Sequence, residues 1–205
     1  MKVTVINCPQ DAKKVVSLSA RTCYNSRHKD APETRDAFIR GIIKSGHESV
    51  LEHVSITFDI EGVSRALLAQ LTRHRLASFS VQSQRYVKYN CTWKPGTDYI
   101  IPDSINDNKE ARELYLNHMS NTEAIYNSFI KAGIKPEDAR MVLPEAFCTN
   151  IVLTVNIREL RHILKLRLDK HAQWEIRELA QRLLLLAKNK LGSVFFEDLD
   201  NGEDK

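Results

Sequence analysis

Glycine is scarce in this chain of 205 residues, and the seven glycines fall into neither a GxGxxG nor a GxxxxGK[ST] pattern. A glycine-rich dinucleotide loop and a P-loop are therefore both excluded, and any phosphate has to be held by side chains. The four cysteines, Cys8, Cys23, Cys91 and Cys148, form no CxxC pair, which argues against a zinc ribbon and against a secreted disulfide framework. His47 and Glu48 with His53 do not make an HExxH motif, so no metal site is expected. Cys148 lies in a strand-like context and reads as a small core residue. No apolar run approaches the ~20 residues that span a bilayer, and the amino-terminal residues have no long apolar segment with a cleavage site. A cytoplasmic protein without a membrane partner is the expectation. The net charge of +4 is small and dispersed, and does not demand nucleic acid.

What is present is an ordinary globular composition, 42% hydrophobic and 27% charged, enough for a real core in one domain over 1–205. Residues 2–6 alternate as a strand, and Asp11 caps a short helix. Ala37, Phe38, Ile42 and Ile43 have helical spacing that Gly46 should stop. Residues 54–60 alternate as a half-buried strand, and Val63, Ala66, Leu67 and Leu71 return to the helical period. Phe79, Val81, Val87 and Tyr89 share one parity, which predicts an extended segment whose odd-numbered face also bears Ser83 and Arg85. A long helix should follow with Ala111, Leu114, Tyr115, Met119, Thr122, Ile125, Tyr126, Phe129 and Ile130 inward. Pro136 and Pro144 bracket a short helix, and Phe147, Thr149, Ile151, Leu153 and Val155 line one face of a strand. Asn156 with Glu159 reads as a capping box opening a further helix. A last helix carries Ile176, Leu179, Leu183 and Leu186, before a polar tail at roughly 197–205. Strands interrupted by helices without regular βα alternation predict an α+β fold with a central mixed or antiparallel sheet flanked by helices.

The chemistry concentrates in two places. Residues 73–85, RHRLASFSVQSQR, crowd three arginines, a histidine and three serines together. Guanidinium forks recognise phosphate and carboxylate, and hydroxyls add orientation without charge. The plainer alternative is a basic loop after a helix ending near Thr72, favoured by the macrodipole. On the later helix, Arg158 and His162 are four residues apart and share a face with Lys165, which is also what a solvated basic face looks like. Arg167 sits among Leu164, Leu166 and Leu168, where a buried guanidinium needs a partner.

The run Arg73-His74-Arg75, seven residues, then Ser83-Gln84-Arg85 resembles the RHR-x7-S-x-R signature of the flavin-dependent thymidylate synthases. The resemblance implies reductive methylation of dUMP to dTMP, with methylenetetrahydrofolate as methylene donor and NADPH as reductant through bound FAD, in a homotetramer with shared sites. By resemblance, His53, Ser55, Arg73, His74, Arg75, Asn156, Arg158, His162 and His171 would contact the flavin. Gln70, Arg73, Ser83, Gln84, Arg85, Arg140 and Arg167 would hold the nucleotide, with Arg167 also catalytic, stabilising charge on the pyrimidine without an enzyme thiol. Val81 departs from the acidic or amide residue of many members and can offer only backbone contacts there; at His162 some relatives have asparagine. Two rivals are a basic single-stranded nucleic-acid-binding module, with Phe79, Tyr86 and Tyr89 as stacking platforms, and a flavin oxidoreductase of the same fold acting on another nucleotide.

Overall fold

The computed structural model describes residues 1–89 and 92–199. In chain order the elements are β1 (Lys2–Asn7), α1 (Ala12–Cys23), α2 (Arg35–Lys44), β2 (Ser55–Ser64), α3 (Arg65–Leu71), β3 (Ala77–Val81), α4 (Asp103–Asn106), α5 (Lys109–Lys131), α6 (Pro136–Ala139), β4 (Cys148–Asn156), α7 (Ile157–Arg167) and α8 (Trp174–Leu191). Short 3-10 turns join several of them. The strands make one antiparallel sheet in the order β1-β2-β4-β3, so the α+β expectation holds.

The local signals explain most boundaries. Asp11 accepts from the backbone N–H of Lys14 and caps α1, which runs further than the short helix expected from its apolar stripe. Gly46, at φ 74°, follows α2 where a left-handed residue is needed to end it. Asn156 closes β4 and opens α7, its side chain accepting from Glu159 N–H at 2.8 Å. The returning half of the expected capping box is absent, because the Glu159 carboxylate faces His74 instead.

The chain divides into two compact units. One comprises Met1, Glu61–Gln70 and Ser80–Ile151. Its core joins Trp93, Tyr99, Met119, Tyr126 and Phe147, with Tyr89 packed edge-on to Phe147 at 4.4 Å between centroids. The other comprises Lys2–Ile60, Leu71–Phe79 and Val152–Lys205. Its core includes Val16, Ile39, Leu51, Phe58, Leu153, Leu160, Leu164, Leu183 and Phe195.

Two expectations need correction. The extended segment after Arg75 stops at Val81, and Ser83 does not continue a strand face: its hydroxyl accepts from Arg85 N–H at 3.1 Å and its carbonyl from Val87 N–H, so local side-chain bonding wins over pairing. On α5 only Met119, Thr122 and Tyr126 are buried, whereas Leu114, Ile125 and Phe129 are exposed. Periodicity marked the apolar residues without saying which are covered within one chain. Of the polar tail, Glu197–Leu199 form a 3-10 turn, and 200–205 lie outside the described residues, as does Cys91.

Candidate functional site

In the unit carrying α7 and α8, the turn after Leu71 exposes Arg73 and Arg75 and turns His74 inward, its N–H bonded to the Leu71 carbonyl. His74 is 4% exposed. Its Nε2 accepts from Arg167 Nε at 3.1 Å, and its Nδ1 lies 3.4 Å from Glu159 Oε1. The His162 ring meets it edge-on at 5.7 Å. Burial foremost, then the charge of Arg167 and then His162, lower the His74 pKa to about 4. The ring is therefore neutral near pH 7, with its proton on Nδ1, since Nε2 must present a lone pair to Arg167. His74, Glu159 and His162 bring ligand-type atoms within 4.8 Å of one another. A cation there would have to displace the Nδ1 proton beside a guanidinium, so the donor set suits a hydrogen-bonded chain better than a metal centre.

One side of α7 borders a polar cavity of about 680 Å³, lined by Asn156, Arg158, Glu159, Arg161, His162 and Lys165 together with Glu48 and Glu52. The shared face of Arg158, His162 and Lys165 is thus real, though Arg158 is ion-paired with Glu52, which raises its pKa. His53 and Ser55 are exposed at the end of a 3-10 turn and the start of β2, and are not among the lining residues. His171 is exposed after α7 and pairs with Asp169 at 2.9 Å.

The buried arginine of α7 is Arg161, and the leucine-flanked Arg167, which would need a partner if buried, has one in His74. Arg167 is only partly buried, while Arg161 is 1% exposed. Arg161 forks onto Asp198 at 2.7 and 2.8 Å, approaches Glu48 and donates to the Phe195 carbonyl. Nothing in the local sequence singled it out, because its partners come from distant segments.

The other unit holds Gln70, Ser83, Gln84, Arg85 and Arg140. The Ser83 turn is anchored by Gln82, whose N–H bonds the Asn150 carbonyl at 2.9 Å and whose carbonyl accepts from Arg65 at 2.8 Å. Arg85 and Arg140 converge on one acid that sequence reasoning missed. Glu137, in the first turn of α6, accepts from Arg85 Nε at 2.6 Å through its carboxylate and from Arg140 Nε at 3.1 Å through its carbonyl. Arg85 holds the Glu137 carboxyl below the usual range. Two guanidiniums beside a serine turn make a compact anion-recognition group. Gln70 and Gln84 are half-buried on α3 and in the Ser83 turn.

An α+β sheet bearing an arginine–serine turn and a basic helix is an architecture already seen in solved proteins. The fold matches two crystal structures from Helicobacter pylori solved with FAD and dUMP: thymidylate synthase X, with a TM-score of 0.83 at 24% identity over 98% of this chain and 100% of that one, and flavin-dependent thymidylate synthase, with 0.80 at 24% over 96% and 99%. Residues 4–191 match the family model of the thymidylate synthase complementing protein. The chain is 41% identical to the flavin-dependent thymidylate synthase of Geobacter sulfurreducens over 201 residues, 95% of this chain and 85% of that one. It is 47% identical to that of Thermococcus onnurineus over 197 residues, 93% and 80% respectively. The chain belongs to the flavin-dependent thymidylate synthase family.

Proposed function

We propose that the chain catalyses the conversion of dUMP, methylenetetrahydrofolate, NADPH and a proton to dTMP, tetrahydrofolate and NADP⁺, with FAD as its bound redox group. The observation that carries this reading is identity of 41% over 95% of the chain to a flavin-dependent thymidylate synthase. The residues present suit a flavin. Asn156, Arg158, His162 and Lys165 offer amide, imidazole and cationic donors around one polar cavity, suited to a diphosphate and a hydrogen-bonding ring. The flavin, when bound, supplies the hydride chemistry.

Protein work is then positioning and electrostatics. Ser83, Gln84, Arg85, Arg140 and Gln70 bind dUMP, Arg85 exchanging the Glu137 carboxylate for the nucleotide phosphate with Arg140 beside it. Arg73, Arg75, Asn156, Arg158, His162, His53, Ser55 and His171 contact the cofactor. His74 keeps its place on the flavin side, and the structure adds its bond to Arg167. Arg167 stabilises negative charge on the pyrimidine so that its ring carbon attacks the methylene without an enzyme thiol. We assign the protein to the cytoplasm; among the described residues no helix is long and apolar enough to cross a membrane. The exposed Leu114, Ile125 and Phe129 of α5 support burial in a homotetramer with shared sites.

The nucleic-acid reading finds no support. Arg158 and Arg161 are neutralised by Glu52, Glu48 and Asp198, so the helix does not offer the basic surface it required. A visible spectrum of the purified chain before and after anaerobic NADPH tests the flavin, and isotope-labelled dUMP with methylenetetrahydrofolate tests the transfer. Flavin absorbance that bleaches, followed by dTMP formation, is expected. Turnover of UMP or dCMP in place of dUMP would favour the oxidoreductase rival, and a protein that stays colourless with added FAD would overturn the proposal.

A further inference from the structure

His74 touches α7 at two points separated by two turns. Glu159, 8% exposed, faces Nδ1, and Arg167 donates to Nε2. A carboxylate this buried needs a donor, and the ring N–H is the donor that faces it. An imidazole has one proton to place when neutral, and the two contacts ask for the same placement: proton toward the carboxylate, lone pair toward the guanidinium. With the proton on the other nitrogen, the ring would set N–H against N–H at Arg167 and leave the carboxylate facing a lone pair. The three side chains thus form a directional chain in which the acid at one end fixes what the guanidinium at the other end meets.

We propose that Glu159 is a positioning residue that, by holding the His74 proton on Nδ1, locks the ring as an acceptor for Arg167 and so fixes the orientation of the guanidinium that activates the pyrimidine. The proposal rests on the role given to Arg167 above. Glu159 also borders the polar cavity, and the role assigned to it is exerted through His74. It also gives the Nδ1 contact, long in this state, a reason to be kept, because catalytic hydrogen bonds commonly tighten only with substrate present. Among the described residues, the charged or titratable groups seen against His74 are Glu159, His162 and Arg167, all from α7.

Nitrogen NMR of the flavin-loaded, ¹⁵N-histidine-labelled enzyme, with His74 assigned by loss of its signals in His74→Gln, reads the tautomer directly. The native ring is expected to carry its proton on Nδ1 at pH 7, and a proton on Nε2 or on both nitrogens would overturn the proposal. Glu159→Leu, which keeps bulk and removes the acceptor, should show mixed tautomers and about a tenfold lower kcat, with the KM for dUMP within about threefold. Glu159→Gln, which keeps an acceptor oxygen, should restore kcat to within about threefold of native. A merely structural role would lower flavin content and stability in both variants and leave the tautomer alone. Glu159→Ala is read in the same way where the leucine variant does not fold. Native kcat with an unchanged tautomer in the leucine or alanine variant would overturn the proposal. A native enzyme without dUMP turnover would sink the functional reading instead and leave the ring measurement standing.

Discussion

Arg167 donates its Nε–H to Nε2 of the buried His74 at 3.1 Å, so one edge of the guanidinium is oriented by a neutral ring. That contact orients the guanidinium without drawing on its charge. Arg167→Ala should therefore retain flavin and fold while lowering single-turnover dTMP formation about a hundredfold, the usual cost of one preorganised donor. Rapid-quench measurement with saturating dUMP checks this, and full turnover would remove Arg167 from the mechanism.

Arg85 and Glu137 form an exposed pair, which a nucleotide phosphate would have to displace under the proposed function. Glu137→Gln should tighten dUMP binding by about threefold, in keeping with the modest strength of exposed pairs. Arg85→Ala should weaken binding by about tenfold or more through the lost phosphate contact. Calorimetric titration of dUMP distinguishes the two, and an unchanged affinity in Arg85→Ala would take it off the site.

The neutral His74 sets a pH dependence of stability. Its folded pKa, about 4, lies below the ordinary 6.5, so between those values the unfolded chain binds the extra proton. Stability is then full above about pH 6.5 and falls as pH drops toward 4, on the order of 2 kcal/mol by pH 5. Urea unfolding at pH 7.5 and 5 should show this loss, and His74→Gln should remove most of it.

Asp30 holds together a second charged cluster. It accepts from Arg35 at 2.7 Å and from Ser17 at 2.6 Å, and these bonds hold its pKa at about 2 against an ordinary 3.8. Its contribution is present above about pH 3.8 and is lost as pH falls toward 2, an acid step separate from that of His74. Asp30→Asn should cost about 2 kcal/mol, because it leaves the nearly buried Arg35 with Asp11 as its remaining carboxylate within 4 Å. A melting temperature within a degree of native would refute this.

Much of the architecture could be read from the residues because it depends on local rules. The alternation in β4, the Asn156 cap and the stop at Gly46 each need only near neighbours. What escaped depends on contacts across the sequence. Glu137 meets Arg85 across 52 positions, and Arg161 meets Glu48 across 113, so no window of helical or strand period contains both partners. The flanking leucines drew attention to Arg167 and not to the buried Arg161, because neighbours in sequence do not decide which side of a helix faces the core. The outward residues of α5 escaped for the same reason: an apolar period says that a face is to be covered, not by what.

The bonds of Arg161 also bear on the order in which the protein is made. Its principal counter-charge, Asp198, lies 37 residues downstream. A chain emerging from the ribosome at about 5–20 residues per second has to extend for several seconds beyond α7 before Asp198 can join Glu48 at the buried guanidinium. Folding of the helix that carries Arg158, His162 and Arg167 is thereby coupled to the last stretch of synthesis, and a chain released before residue 198 would leave its interior charge to Glu48 alone.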